Sequence, residues 1–413
     1  MDNKKTSILA LLPVLLSFFV MGFVDLVGTA SNYVKDDLQL SDTLANALPS
    51  LVFFWFLIFS IPTSLLMNKI GKKNTVLLSL IVTVVSLLIP VLCHGIYGID
   101  NKDTSIAIML VSFSLLGIGN TLMQTSLNPL MGLLVAPEKM ASNLNLGQFI
   151  KAFASLIAPA IMTWGATLVI PQFGLNWMIL FPVFMVVGIV ATLWLYGTEI
   201  QETNIVSDKG RISVGQQFVN CFKLLGKPFV LICFLGIVCH VGIDVGTNTV
   251  APKILSQSLN LSIKAPEVAL AASIYFIGRT VGSFSGAAAL QKFSVKMFFL
   301  LCVILMFLGM ACMIVGLEIS MDASTATVVL YAGCALVGFG NANVFPICLS
   351  QALISEPKQQ NEVSGLMIMG LFGGTLFPLA MGVASDAVGQ VGAVAVMIVG
   401  VAYLSIYYFN IKK

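Results

Sequence analysis

Long apolar runs, separated by short polar stretches, dominate the pattern of hydrophobic and polar residues along this chain. A helix that crosses the hydrocarbon core of a bilayer needs about 20 largely apolar residues. Twelve runs meet this requirement, and each predicts a membrane-spanning helix. In chain order they are 8–34, 47–68, 74–97, 105–133, 142–170, 174–198, 227–256, 266–290, 296–317, 325–354, 361–385 and 390–410. The pattern therefore predicts an all-α integral membrane protein with twelve transmembrane helices.

The composition excludes a soluble enzyme and a disordered chain. Charged residues make up 9% of the 413 residues and hydrophobic residues 58%, whereas soluble domains are about 25% charged. The net charge of +3 is too small to indicate nucleic-acid binding. Eight cysteines and two histidines form no CxxC pair and no cluster with metal-ligand spacing, so we expect neither a metal nor a cofactor. No cluster of catalytic residues is visible in the loops, and we expect no enzymatic activity.

The distribution of lysine and arginine predicts the orientation of the chain. With the N-terminus in the cytoplasm, fifteen of the 21 basic residues lie in cytoplasmic tails and loops, and four lie outside. Basic residues concentrate on the cytoplasmic side of membrane proteins. We therefore expect both termini in the cytoplasm, and a multi-pass monomer in the lipid bilayer of a bacterial inner (plasma) membrane.

The two halves of the chain resemble each other. LLGIGNTL (115–122) is echoed by LVGFGNAN (336–343) at an offset of 221, and Asp25 is echoed by Asp244 at an offset of 219. Internal duplication in a helical membrane protein is a mark of secondary transporters, in which two similar bundles move about a site. The repeat therefore predicts two pseudo-symmetric six-helix bundles.

The longest connection between spans gives the boundary between these bundles. We predict an N-terminal bundle over 1–198, a cytoplasmic linker over 199–226 and a C-terminal bundle over 227–413. The second part of the linker, ISVGQQFVNCFKLLGK, alternates apolar and polar residues at helical spacing. This pattern is typical of an amphipathic helix that lies on a membrane surface.

Four charged residues lie inside the predicted spans, namely Asp25, Lys151, Asp244 and Arg279. Charged groups are costly within a membrane, so each one indicates either a helix-packing ion pair or a function. Arg279 has small residues on both sides in FIGRTVG, and for this residue close helix packing is as good an interpretation as function. We predict that Asp25, Lys151 and Asp244 take part in proton coupling.

Side-chain amides gather on single faces of several predicted spans, because residues three and four apart share a face of a helix. Amides donate and accept hydrogen bonds, which suits a ring of sugar hydroxyls. Interhelical hydrogen bonding explains any one of them, but their spread over several spans favours a common water-filled cavity. The predicted substrate-binding residues are Gln124, Asn128, Asn145, Gln148, Lys151, Asn248, Asn341 and Asn343.

Several motifs resemble those of the major facilitator superfamily. The loop from Ser64 to Lys73 resembles its signature between spans two and three, with Asn68 in place of the usual Asp and Ser64 in place of the usual Gly. Other stretches resemble the fucose–galactose–glucose:proton symporter branch of that superfamily. They are FFVMGF (18–23), Gln124-x-x-x-Asn128-Pro129, NLNLGQ (143–148), FIGRTVG (276–282), GFGNANVFP (338–346) and SGLMIMGLFGGTLFPLAMGVASDAVG (364–389).

This resemblance implies the major facilitator fold and the uptake of a monosaccharide driven by a proton gradient. The chain departs from the branch at three places. Gly28-Thr29 replaces an Asn-Asp pair whose Asp is thought to take the proton, Gln124 stands where the fucose members have Glu, and Lys151 stands where Asn is usual. The proton carrier of the branch therefore has no counterpart here, and Asp25 or Asp244 is the candidate replacement.

Two substrate classes remain open. If Lys151 pairs with Asp25, the substrate is a neutral hexose, and we favour this because a buried lysine without a partner is costly. If Lys151 faces the cavity instead, it can bind the carboxylate of a sugar acid, such as a sialic acid or a uronate. A membrane enzyme or a non-transporting sugar sensor is the rival hypothesis from another class.

Overall fold

The computed structural model describes residues 8–27, 30, 34, 42–97, 102–167, 176–202, 214–261, 266–319 and 321–411, and within these ranges the regular elements are helices. The α-helices are α1 (Ile8–Met21), α2 (Asp42–Ile70), α3 (Lys72–Tyr97), α4 (Lys102–Leu134), α5 (Met140–Thr167), α6 (Leu180–Gly197), α7 (Val214–Lys223), α8 (Pro228–Leu259), α9 (Pro266–Ala289), α10 (Val295–Glu318), α11 (Ala323–Asn341), α12 (Val344–Ser355), α13 (Gln360–Met369), α14 (Gly373–Val388) and α15 (Gln390–Asn410).

The prediction of an all-helical membrane fold is confirmed. Nine stretches of the described residues are helices long and apolar enough to cross a membrane. Agreement with the predicted bounds is close where the span is a single helix. For example, α10 occupies the predicted run 296–317 with one more residue at each end, and α15 coincides with the run 390–410.

Three predicted spans differ from continuous helices. A 3₁₀ turn, Gly22–Leu26, follows α1, and another, Gly370–Phe372, separates α13 from α14. The helix also breaks between α11 and α12. Pro346 explains this last break, because a proline ring clashes with the carbonyl group four residues earlier, here that of Ala342. Between α13 and α14, glycines at 370, 373 and 374 weaken the helix.

The chain divides into two compact units. Unit 1 comprises Met1–Ala136, Ile150–Phe222 and Gln359–Met369, and unit 2 comprises the remaining segments, Pro137–Phe149, Lys223–Lys358 and Gly370–Lys413. The beginning of α5 therefore belongs to unit 2, and α13 belongs to unit 1. These units are not continuous along the chain, and the predicted bundle boundaries at 198 and 227 stay a prediction.

In unit 1, α13 packs closely against α2. A Cβ added to Gly365 would lie 2.7 Å from the Cβ of Ser64 and 2.8 Å from the carbonyl oxygen of Ser60. Glycine at this position thus allows two helix backbones to approach each other. The contact brings the N-terminal end of α13 to the loop that follows α2.

The loop between α2 and α3 is held by two side chains of α13. Asn68 Nδ2 donates a hydrogen bond to Glu362 Oε1 (2.9 Å), and Asn361 Nδ2 donates to Asn68 Oδ1 (2.8 Å). Gly71 turns the chain between α2 and α3 with φ of 89°, a left-handed conformation that glycine adopts without steric cost. The negative charge at this loop is therefore on Glu362, which is buried, and the neutral Asn68 donates to it.

The N-terminus of α3 binds a carboxylate from the segment after α6. Glu202 accepts hydrogen bonds from the backbone N–H groups of Lys72 (2.8 Å) and Lys73 (2.7 Å). The first N–H groups of a helix lack partners within the helix, and a negative charge there is favourable. Lys73 Nζ also donates to the Thr198 carbonyl oxygen (2.7 Å), so the end of α6 is fixed beside α3.

In unit 2, the first part of α5 lies against α9. Ser142 Oγ donates to the Ala287 carbonyl oxygen (2.6 Å), and the rings of Phe149 and Phe284 are 5.2 Å apart. Helices α10 and α15 of the same unit are joined by Phe299 and Tyr407, whose rings pack edge to face at 5.0 Å.

The linker contains a short helix, α7, in the segment where an amphipathic helix is predicted. Cys221 is buried against Ile61 and Leu65 of α2. Phe218 and Phe222 lie on an exposed face, with their rings 5.3 Å apart. One face of α7 therefore packs on α2, while an aromatic face remains exposed.

Candidate functional site

An ion pair joins α8 and α9 inside the apolar spans of unit 2. Arg279 Nη1 lies 3.2 Å from Asp244 Oδ2, and both side chains are largely buried. Tyr275 Oη donates a hydrogen bond to the other carboxylate oxygen, Asp244 Oδ1. Both oxygens of Asp244 thus accept hydrogen bonds from side chains of α9.

His240 and Asn341 extend this network into α11. Asn341 Nδ2 donates to the His240 carbonyl oxygen (3.1 Å) and to Tyr275 Oη (3.2 Å). Because both hydrogens of that amide nitrogen are used, Asn341 Oδ1 acts as an acceptor, and His240 Nδ1, at 3.0 Å, is the donor. The hydrogen bonds therefore run in one direction, from His240 through Asn341 and Tyr275 to the carboxylate of Asp244.

Helical spacing places these side chains together. His240 and Asp244 are four residues apart on α8, and Tyr275 and Arg279 are four residues apart on α9, so each pair shares a face. Sequence reasoning identified Asp244, Arg279 and Asn341 but missed His240 and Tyr275. The four-residue spacing from each charged residue is the signal that could have found them.

The other predicted amides of unit 2 form separate groups. Asn248 Nδ2 donates to the Asp244 carbonyl oxygen (2.9 Å). Asn145 and Asn343 meet at Gly286, where an added Cβ would lie 3.0 Å from Asn145 Oδ1 and 1.9 Å from Asn343 Oδ1. Gln148, on the same helix as Asn145, is buried. The predicted amides of unit 2 are thus divided between the Asp244 region and the Gly286 region.

In unit 1, the predicted amides lie along α4. Gln124 Nε2 donates to Asn120 Oδ1 (2.8 Å), and Asn128 Nδ2 donates to the Gln124 carbonyl oxygen (2.5 Å). All three residues are buried. Asn120 lies one turn before Gln124, and sequence reasoning did not select it as a site residue.

The predicted pair of Asp25 and Lys151 is described only in part. Lys151 is buried in α5, with 6% of its surface exposed. Asp25 belongs to the 3₁₀ turn after α1, but its side chain lies outside the described residues. The helices that carry them pack closely, since a Cβ added to Gly22 would lie 2.5 Å from the Lys151 carbonyl oxygen. Pairing of the two charges stays a prediction.

Four of the predicted substrate-binding amides share one property in the part of the chain that the structure describes. Each has a buried side-chain oxygen without a hydrogen-bond partner, namely Asn128 Oδ1, Asn145 Oδ1, Asn248 Oδ1 and Asn343 Oδ1. Buried polar atoms in folded proteins usually have partners. Each of these oxygens therefore keeps an unused capacity to accept a hydrogen bond. The described residues contain no cluster of His, Cys, Asp and Glu suited to a metal ion.

Comparison with known proteins gives one family and a consistent group of relatives. The sequence profile of the Major Facilitator Superfamily matches residues 14–266. A protein of Brucella abortus named "Glucose/galactose transporter" is 24% identical over 98% of this chain and 95% of its own length. A Helicobacter pylori protein named "Putative glucose/galactose transporter" is 23% identical over 93% of this chain and 91% of its own.

Two solved structures share the fold. A crystal structure of the E. coli fucose:proton symporter superposes with a TM-score of 0.76 at 15% identity, covering 97% of this chain and 98% of that one. A proton:xylose symporter bound to a glucose derivative gives a TM-score of 0.70 at 13% identity, with 99% and 95% coverage. At these identities the similarity establishes the fold.

Proposed function

The chain belongs to the Major Facilitator Superfamily, and on that premise we propose that it imports a hexose-type monosaccharide together with protons by alternating access. The superfamily is one of membrane transporters, so the chain is a multi-pass transporter and not an enzyme, as predicted. The relatives named as glucose/galactose transporters, which align along almost the whole chain, support a neutral hexose as the substrate.

The observation that carries the proposal is the set of four buried amide oxygens without partners. A sugar hydroxyl is a donor that can satisfy such an oxygen, and Asn145 Oδ1 and Asn343 Oδ1 lie together at Gly286. A site built to bind hydroxyls rejects analogues that lack them, because the amide oxygens would then stay unpaired. We therefore assign sugar binding to Gln124, Asn128, Asn145, Gln148, Asn248, Asn341 and Asn343.

Protons would bind at Asp25 or Asp244, with Lys151 modulating the first of them. Protonation of Asp244 would remove its negative charge and so weaken the ion pair with Arg279, while Tyr275 could still donate to the neutral carboxyl group. This change alters the contact between α8 and α9, and a change in helix contacts is what an alternating-access cycle requires. The proposal places the transporter in a bacterial inner membrane as a monomer, with both termini in the cytoplasm.

The test is uptake of labelled hexose into vesicles that contain the purified protein. Imposing a proton gradient should cause accumulation, and an uncoupler should abolish it. For Asp25→Asn we expect gradient-driven accumulation to fall at least about tenfold while counterflow exchange persists, because exchange needs no net proton movement. Asp386→Asn, an exposed aspartate of α14, serves as the control and should behave like the wild type.

The outcomes separate the alternatives. If Asp25→Asn accumulates hexose as the wild type does, the proton binds at Asp244 instead. Wild-type uptake that ignores both pH and uncoupler would refute symport and leave a uniporter.

A sugar acid is the second candidate substrate, and the buried Lys151 is the observation that favours it. Lysine binds anionic groups as a point charge. With Lys151→Gln, a carrier of neutral sugars is expected to keep hexose binding and to lose its pH dependence. A carrier of sugar acids is expected to lose binding altogether. Thermal-shift titration of the wild type and of Lys151→Gln with hexoses and sugar acids distinguishes the two substrates.

A further inference from the structure

The first transmembrane segment changes from α-helix to 3₁₀ helix at Gly22, and Asp25 lies within the 3₁₀ turn. Helix α1 ends at Met21, and the 3₁₀ turn Gly22–Leu26 follows. A 3₁₀ helix bonds each N–H group to the carbonyl group three residues back instead of four. The carbonyl groups at the junction therefore exchange their α-helical partners for N–H groups three residues on, and each carbonyl oxygen can also accept from further donors.

Side chains from two neighbouring helices supply those donors. Asn120 Nδ2, from α4, donates to the Met21 carbonyl oxygen (3.1 Å). Ser155 Oγ, from α5, shares its one hydrogen between the next carbonyl oxygen, that of Gly22 (3.1 Å), and the Lys151 carbonyl oxygen of its own helix (3.0 Å). Asn120 is buried, with 2% of its surface exposed. The two contacts hold the backbone of the segment that carries Asp25.

Asn120 also contacts the predicted sugar-binding amide. Its Oδ1 accepts a hydrogen bond from Gln124 Nε2 (2.8 Å), while its Nδ2 donates to Met21. Only a side chain that donates and accepts can make both contacts, which explains an amide at this position. A single residue thus connects Gln124 to the backbone one turn before Asp25.

The same contact occurs in unit 2 at the equivalent positions of the repeat. Asn341 corresponds to Asn120 at the offset of 221, and His240 corresponds to Met21 at the offset of 219. Asn341 Nδ2 donates to the His240 carbonyl oxygen (3.1 Å). In both units, therefore, the asparagine binds a carbonyl group four residues before an aspartate. The side chains of Met21 and His240 differ in chemistry, so what the two units share is the hydrogen bond from asparagine to the backbone carbonyl group.

We propose that Asn120 is a positioning residue that couples sugar binding at Gln124 to the backbone of the Asp25 turn; this inference rests on the proposed function. A sugar hydroxyl that engages Gln124 competes with the hydrogen bond to Asn120 Oδ1. Asn120 then shifts, and its hold on the Met21 carbonyl group changes with it. The geometry of the turn, and with it the environment of the Asp25 carboxyl group, responds to the sugar. Asn341 makes the matching contact before Asp244.

Asn120→Leu tests the coupling, because leucine has a similar size and makes neither hydrogen bond. In vesicles we expect counterflow exchange within about threefold of the wild type, and gradient-driven accumulation at least about tenfold lower. The dependence of uptake on pH should flatten as well. Asn410→Leu is the matched control, since Asn410 is exposed at the end of α15 and donates to the carbonyl group one turn back.

Ser155→Ala is a milder second variant, which removes the hydroxyl at the Gly22 carbonyl group with little change in volume. It should show the same separation of exchange from accumulation, with smaller amplitude. If Asn120→Leu does not fold, Asn120→Ala, which also makes neither hydrogen bond, takes its place in the same assay.

Three results would overturn the inference. The first is an unchanged ratio of accumulation to exchange in a folded Asn120→Leu protein. The second is an equal loss of exchange and accumulation, which indicates a purely structural role. Both leave the proposed function intact, provided that the wild type accumulates sugar. The third is a wild type without proton-driven accumulation, which refutes the proposed function and this inference together.

Discussion

Arg279→Met is expected to lower the free energy of unfolding by about 3 kcal/mol, because removing one partner of a buried ion pair leaves the other charge without compensation. In this variant the Asp244 carboxylate keeps its hydrogen bond from Tyr275 but loses the positive charge 3.2 Å away. Methionine preserves most of the side-chain volume and apolar stem, so the decrease in stability measures the effect of removing the positive charge. Thermal unfolding in detergent measures the stability, and counterflow measures the effect on transport.

The chain offers both a matched control and a compensating variant. Lys227 and Glu356 form an exposed ion pair at 2.6 Å, and exposed pairs contribute about 1 kcal/mol or less. Lys227→Met should therefore change stability little. Combining Arg279→Met with Asp244→Asn removes both charges and should recover much of the lost stability. A single Arg279→Met variant as stable as the wild type would show that the ion pair does not stabilise unit 2.

Asn68→Asp is expected to destabilise the protein, although it restores the residue usual in the signature that this loop resembles. Asn68 donates to the buried Glu362, and an aspartate there would remove this donor and place two carboxylates about 3 Å apart. Loss of a hydrogen bond to a buried charged group costs about 1.5–3 kcal/mol, and repulsion adds to it.

Exchanging the charge between the two positions gives the decisive comparison. In the double variant Asn68→Asp with Glu362→Gln, the new amide at 362 can donate to the carboxylate at 68, and stability should return toward that of the wild type. Asn74→Asp is the control, because Asn74 is exposed and its side chain donates to the Ile70 carbonyl oxygen at the end of α2 (2.8 Å). Equal melting temperatures for wild type and Asn68→Asp would refute the role assigned to Glu362.

The prediction of the fold succeeded because its signal is local. Hydrocarbon accepts a polypeptide backbone only when its polar groups are bonded within the segment, so a long apolar run must be a helix. That rule gave the runs that became α10 and α15 almost residue by residue. It gave no information on the 3₁₀ turn at Gly22–Leu26, because that turn depends on donors from Asn120 and Ser155 on other helices.

The candidate site was predictable where a single residue is energetically costly to bury, as a charged residue is in a membrane. Asp244 and Arg279 stood out as charges within apolar runs, and the structure pairs them. Tyr275 and Asn120 are ordinary residues of such runs and became site residues only through their contacts with Asp244 and Met21.

By itself, the sequence of this protein determined the helical spans, the internal repeat and the residue types available for binding sugar and protons. These follow from composition and spacing along one chain. The tertiary structure alone decided which partner each polar group has: Glu362 for Asn68, Arg279 for Asp244, and the Met21 carbonyl group for Asn120. The physical reason is that hydrogen bonds and ion pairs act over about 3 Å, and residues far apart in sequence reach that distance only when the helices have packed.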